Sequence, residues 1–292
     1  MLSLSKYRIE DGKNFRLADH KPDDTAHLED KKQIAGIIEE NISIMAEEQD
    51  KLYAQNDYAL LIIIQAMDAA GKDSLIKHVM TGLNPQGTLV HSFKQPSSEE
   101  LDHDFLWRTH KSLPERGRIG IFNRSYYEDV LVVRVHNLLD RHQIPRKLID
   151  GNFWNNRLDQ IRNYEYYLVQ NGILPVKFFL HLSKEEQKER FLERIDNPSK
   201  NWKFSLSDIQ ERQYWDDYQK VYEDAIRQTS TPHAPWYIIP ADKKWFSRLL
   251  VSDIIAQKLQ SLQLEYPSMT DEQKVGLEKA RKILMDEKNN DK

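Results

Sequence analysis

Residues 59–78, ALLIIIQAMDAAGKDSLIKH, constrain the fold of this chain more than any other stretch. Ala59 to Gln65 form a near-continuous apolar run bounded by polar residues. Such a run suits a strand buried on both faces, as at the centre of a parallel sheet. A short loop, Ala66-Met67-Asp68-Ala69-Ala70, leads to Gly71-Lys72 and then to a helical pattern carried by Leu75, Ile76 and Val79. Strand, tight loop, Gly-Lys and helix is the layout of a phosphate-binding loop, or P-loop. There the backbone N–H groups at the helix start face an anion, the helix dipole favours negative charge, and Lys72 supplies a mobile ammonium. Ala69, Ala70, Gly71, Lys72, Asp73 and Ser74 are the candidate phosphate-binding positions.

The pattern departs from G-x-x-x-x-G-K-[ST]: Ala66 stands at the first glycine, and Asp73 where a metal-binding hydroxyl is usual. A plain βα turn, with Gly71 easing the reversal and Lys72 solvated, is the alternative. Asp68 favours the phosphate reading. A carboxylate beside phosphates is repulsive unless a divalent cation stands between them, so Asp68 is a candidate Mg²⁺ ligand.

The 292 residues are 39% hydrophobic and 30% charged, which suits one α/β domain, residues 1–292, carrying a lid. No apolar run approaches the roughly 18 residues that span a bilayer. The start MLSLSKYRIEDGKNF lacks a basic-then-apolar export pattern, and the chain has no cysteine, as suits a cytoplasmic protein. A net charge of −4 argues against nucleic acid as a partner, so any polyanion must be held by a local cluster of positive charge.

Residues 1–24 read as an irregular arm, and 25–55 as a helical region with Thr25 as N-cap. Further strands are expected at 88–94, 118–122, 173–182 and 235–239. With the first they make a five-stranded parallel sheet, flanked on both faces by helices at 99–111, 130–136, 153–170 and 243–264. Ser183, with Glu186 as capping-box partner, opens the helix KEEQKERFLERI. Residues 183–230 include a candidate lid: Arg190 and Arg194 on this helix, a break over 196–202, Lys203, and a second helix from Ser207 to Thr229. Closing arginines over phosphates would exclude water, whereas a hairpin with solvated charges is the alternative. Residues 271–292 are a charged tail.

The 118–122 strand runs into Asn123-Arg124-Ser125-Tyr126-Tyr127-Glu128-Asp129, placing polar groups at the carboxyl edge of the sheet, where α/β proteins bind ligands. Arg124 could bridge transferring phosphates, and Glu128 follows one helical turn later. Helix capping by Asn123 and Ser125 is the alternative there. Arg134, inside LVVRVH, is either salt-bridged or facing phosphate.

The stretches QAMDAAGKDSLIKHVM, VHSFKQPSSEELDHDFLWR, LPERGRIGIFNRSYYEDVLVVRVH, ERFLERIDNPSKNWKFS and HAPWYIIPADKKWFSRL, in this order, resemble the second family of polyphosphate kinases. These are P-loop kinases related in fold to thymidylate kinase. The resemblance implies phosphoryl transfer from inorganic polyphosphate to AMP or ADP, giving ADP and ATP, reversibly, with Mg²⁺ or Mn²⁺. It also implies a homo-oligomer, dimer or tetramer. Asp68 and Lys72 resemble the family's loop aspartate and lysine, Arg124 its second-motif arginine, and Arg190 and Arg194 its lid arginines. Asn123 and Glu128 stand where many members carry Asp and Asn, and IFNRSYYEDVLVVRVH resembles the class that accepts both AMP and ADP. On this reading Asp68 and Glu128 hold the metal. The rivals are an ATP-dependent nucleoside monophosphate kinase on the same loop and lid, and a P-loop module that binds nucleotide without turnover.

Overall fold

The computed structural model describes residues 3–142 and 144–290. Six strands form one sheet: β1 (Arg8–Ile9), β2 (Ala59–Ala66), β3 (Thr88–Ser92), β4 (Ile119–Asn123), β5 (Ile173–His181) and β6 (Trp236–Pro240). Their order is β1-β6-β5-β2-β4-β3, and β2 to β6 are mutually parallel, as the apolar runs imply. The sixth strand corrects the five-stranded expectation and the reading of the arm as irregular. Arg8 and Ile9 pair antiparallel with Tyr237 and Trp236, so the arm covers what would be the exposed edge of β6.

β2 is central and buried along its whole length. Its period of two divides the core into two layers. Leu60, Ile62 and Ile64 pack with α1 (Lys31–Gln55), α2 (Lys72–Val79) and α10 (Lys244–Gln260). Leu61 and Ile63 face the opposite layer, built from Phe122 and from α6 (Phe153–Gln170) and α9 (Trp215–Thr229). The sheet's carboxyl edge is thereby left for the loops after β2, β4 and β5.

Several boundaries differ from the sequence reading for local reasons. The Asp30 carboxylate accepts from the amides of Lys32 and Gln33 and caps α1, displacing Thr25 from that role, while Ala26 and His27 take left-handed conformations that no helix continues through. The expected helix over 99–111 is two single turns, α3 (Ser98–Leu101) and α4 (Trp107–His110), because the Asp104 side chain caps the Leu106 amide between them. α5 (Val132–Val135) is likewise one turn. Over residues 183–230, α7 (Lys184–Asp196) is followed by α8 (Leu206–Glu211) and a 3-10 turn, Arg212–Tyr214, before α9, so the helix expected from Ser207 to Thr229 is interrupted by a 3-10 turn. α11 (Asp271–Asn290) is exposed over residues 271–287, and the last two residues of the expected 271–292 tail lie outside the described residues. Among the described residues no helix is long and apolar enough to cross a membrane.

Candidate active site

The loop after β2 turns on two left-handed residues, Ala69 (φ 61°) and Gly71 (φ 100°), and a side chain at 71 would strain the turn. Gly71 caps α2 without a side chain, leaving the helix-start amides open to an anion. The Lys72 ammonium folds back across the loop and donates to the carbonyls of Ala66 (3.1 Å) and Met67 (3.5 Å). Burial, and secondarily the Arg124 guanidinium, push its pKa down, with Asp68, Glu128 and Asp73 opposing. Ser74 Oγ accepts from Arg248 at 3.1 Å.

The carbonyl side of the loop is held by α7. The Gln187 amide donates to the Asp68 carbonyl at 2.8 Å. Arg190, expected to reach over phosphate from the lid, lines a basic cavity and donates to the carbonyls of Ala69, Ala70, Ala241 and Asp242 while pairing with Glu186. It is 5% exposed, with Nε on the Glu186 carboxylate and both terminal nitrogens on backbone carbonyls, so it braces the P-loop. Arg194 lies farther along α7, 3.4 Å from Asp208.

At the end of β4, Asn123 does not cap a helix. Its amide donates to Asp73 at 2.7 Å, fastening the second strand end to the start of α2. Ser125 does cap, accepting from the Tyr127 amide. Between them Arg124 adopts φ +65°, a left-handed conformation unusual for a non-glycine residue. Its guanidinium is 3.1 Å from Asp68 and 3.5 Å from Glu128, so one fork joins the carboxylates of both motifs. Burial pushes Glu128 above the usual carboxylate range, against the pull of Arg124 and Lys72. Gln65, with its amide turned to satisfy its neighbours, donates to Glu128 at 2.9 Å and accepts from Ser125.

Two cavities meet here. One, of about 380 Å³, is lined by Lys72, Arg190, Arg194, Lys200, Lys203 and Lys244 together with Asp73, Ser74 and Asn123, with no aromatic residue among the described residues lining it. The other, of about 610 Å³, has apolar walls of Met67, Leu101, Phe105, Val132, Val133, Tyr218 and Tyr222, and a polar rim that includes Lys94, Arg108 and Asp129. Asp68, Arg124 and Asp208 line both. Asp129 is 8% exposed, and burial pushes its pKa up to about 7 against the pull of Arg157 and Arg108.

A carboxyl whose folded pKa exceeds its unfolded one favours folding fully only below the unfolded pKa, and that contribution fades as pH rises through the folded value. Between about pH 4 and 7, therefore, wild-type protein is expected to lose thermal stability relative to Asp129→Asn. Parallel Tm–pH curves for the two proteins would contradict this.

One candidate falls outside the site. Arg134 donates to Asp224 on α9 at 2.6 Å and stacks over Trp154, and it lines neither cavity. Of the two readings left open for it, the salt bridge is the one found. Conversely, Lys200, Lys244, Asp208, Gln65 and Arg248 enter the site without having been singled out. Lys200 and Lys244 lie within the DNPSKNW and ADKKWFSRL stretches, but no spacing rule separates them from solvated lysines. Among the described residues no group of three or more His, Cys, Asp or Glu side chains could hold a metal. Asp68 and Glu128 nevertheless converge on one guanidinium beside the basic cavity. That arrangement fits Mg²⁺, which is usually bound by one or two carboxylates plus phosphates and water.

Comparison with known proteins agrees with this geometry. Residues 27–267 match the family described as Polyphosphate kinase 2 (PPK2). The chain is 48% identical to the ADP-polyphosphate phosphotransferase of Rhodopseudomonas palustris over 97% of its own length and 99% of that protein. It is 44% identical to the AMP/ADP-polyphosphate phosphotransferase of Meiothermus ruber, over 90% and 96% of the two chains. The crystal structure of Polyphosphate Kinase 2 from Arthrobacter aurescens TC1 superposes with a TM-score of 0.86 at 38% identity, covering 96% of this chain and 95% of that one.

Proposed function

The chain belongs to the polyphosphate kinase 2 family, and from that premise we propose that it transfers phosphoryl groups from inorganic polyphosphate to AMP and ADP, giving ADP and ATP, reversibly. The observation that carries this reading is the unlike character of two cavities that meet at Asp68, Arg124 and Asp208. The smaller is a basic groove suited to a chain of phosphates and offers no aromatic wall to a donor base. The larger is apolar enough to take a nucleoside. An ATP-dependent kinase would need a base pocket on both sides. A binding module without turnover would not need so many converging charges.

The acceptor's terminal phosphate is already an oxyanion, so the chain need supply no nucleophile and no strong base. Its work is alignment and charge neutralisation. Lys72 and the α2 amides hold the transferring phosphoryl group, with Asn123 keeping Asp73 in place beside them. Arg124, at the boundary of both cavities, faces the charge that develops between donor and acceptor. Arg194, Lys200, Lys203 and Lys244 hold the remaining polyphosphate, while Arg190 keeps the loop in shape. Asp68 and Glu128 would hold Mg²⁺ or Mn²⁺, directly or through water. The ion, when bound, neutralises phosphate charge that the lysines leave uncompensated.

The two relatives named above differ in whether their names include AMP, and the class resemblance of residues 121–136 favours both acceptors here. Given AMP, long-chain polyphosphate and Mg²⁺, the purified protein is expected to form ADP first and ATP after it, followed by chromatography. ATP from ADP with AMP left untouched would keep the donor and remove AMP from the acceptors.

A further inference from the structure

Beneath the turn that carries Arg124 and Glu128 lies an ion pair wholly out of water. Lys177, in the middle of β5, and Glu165, on α6, are 2.6 Å apart, and both side chains are 0% exposed. Lys177 sits in register with Ile63 and Trp236, in an otherwise apolar layer. Burial pushes the lysine's pKa down and the glutamate's up, with each partner opposing the other's shift. Stability is a poor reason for such a pair, since apolar replacements of buried ion pairs are often neutral or stabilising.

Its contacts suggest another role. Glu165 accepts from the hydroxyls of Tyr126 (3.0 Å) and Tyr127 (2.8 Å). Lys177 donates to the Tyr127 hydroxyl and to the Thr229 carbonyl, at 3.1 and 2.8 Å. The Tyr127 hydroxyl is also 2.8 Å from Thr229 Oγ1. Tyr126 and Tyr127 open the 3-10 turn Tyr126–Asp129, directly after Arg124-Ser125, and Glu128 is the next residue of that turn. Thr229 ends α9, the helix whose Tyr218 and Tyr222 wall the apolar cavity. One buried cluster therefore ties the Arg124–Glu128 turn to the acceptor wall.

We propose that Lys177 and Glu165 are positioning residues, which hold the Arg124–Glu128 turn at a fixed place relative to α9 and so set the transfer point against the bound acceptor. This rests on the functional reading above. A misplacement of about 1 Å at a reacting centre can cost on the order of 100-fold in rate. The Lys177→Met/Glu165→Leu double variant, which removes both charges together, is expected to keep its Tm within a few degrees. Its kcat should fall about 10- to 100-fold, with the KM for nucleotide changed by less than about 3-fold. Tyr127→Phe, which deletes only the hydroxyl shared by the cluster, is expected to lose kcat in the same direction by a smaller factor and decides the matter should the double variant fail to fold. A folded double variant, or a folded Tyr127→Phe, with wild-type kcat overturns the proposal, as does a loss that merely tracks a lowered Tm. Absence of polyphosphate-driven transfer by wild-type protein overturns the functional reading and this proposal with it, whereas an active wild type beside an equally active double variant overturns this proposal alone.

Discussion

Lys72→Ala is expected to lower polyphosphate-driven turnover by at least about 10³-fold while leaving the protein folded. The expectation follows from what the side chain does in the absence of substrate. Among the described residues its hydrogen bonds go to the carbonyls of Ala66 (3.1 Å) and Met67 (3.5 Å), and it opens α2, where alanine is a good helix former. Little stability is therefore at stake. With phosphate present, by contrast, Lys72 is expected to supply its charge beside the helix-start amides, at a buried position where each charge counts for more than in water. Initial rates at saturating polyphosphate, measured beside circular dichroism melts, separate the two effects. Turnover within 10-fold of wild type would remove Lys72 from the transferring group.

Arg124→Gly should produce an even cleaner separation. The residue sits at φ +65°, where glycine is free of the steric cost that a side chain carries, so the backbone gains from the change. Against that, removing the guanidinium leaves Asp68 and Glu128 facing each other without their shared counter-charge. The two effects offset, and Tm is expected to move by no more than a few degrees. Activity should nevertheless fall by about 10³-fold or more, the range in which an arginine facing transferring phosphate operates. Arg124→Lys retains a charge but not the planar fork that reaches both carboxylates, and is expected to recover only part of the loss. A Gly variant as active as wild type would show that Arg124 serves the fold alone.

Much of this site is legible in the sequence because P-loop chemistry is local. Strand β2, the glycine turn and Lys72 lie within one contiguous stretch, and each is forced by burial, backbone conformation or charge. The end of β4 is legible for the same reason, since an apolar strand running into Asn123-Arg124 brings both to the carboxyl edge. What escapes is whatever depends on a partner distant in the chain. Arg190 and Arg194 are one helical turn apart and alike in sequence. Yet Arg190, which also lines the groove, spends its terminal nitrogens on carbonyls, two of them more than 100 residues away at 69 and 70, whereas Arg194 meets the Asp208 carboxylate there. Arg134 could not be assigned without knowing that Asp224 lies opposite it. β1 escapes too, because two residues of edge pairing leave no periodic trace.

Polyphosphate and ATP are told apart as donors by one comparison. Purified protein is given AMP and Mg²⁺ with either long-chain polyphosphate or ATP as the only phosphodonor, with Lys72→Ala protein run in parallel to exclude contaminating adenylate kinase. ADP, then ATP, is expected from the polyphosphate arm at a rate well above that of AMP phosphorylation in the ATP arm, with no product from the variant. Phosphorylation of AMP only when ATP is supplied would contradict it and assign the same loop, lid and Arg124 fork to an ordinary nucleotide kinase.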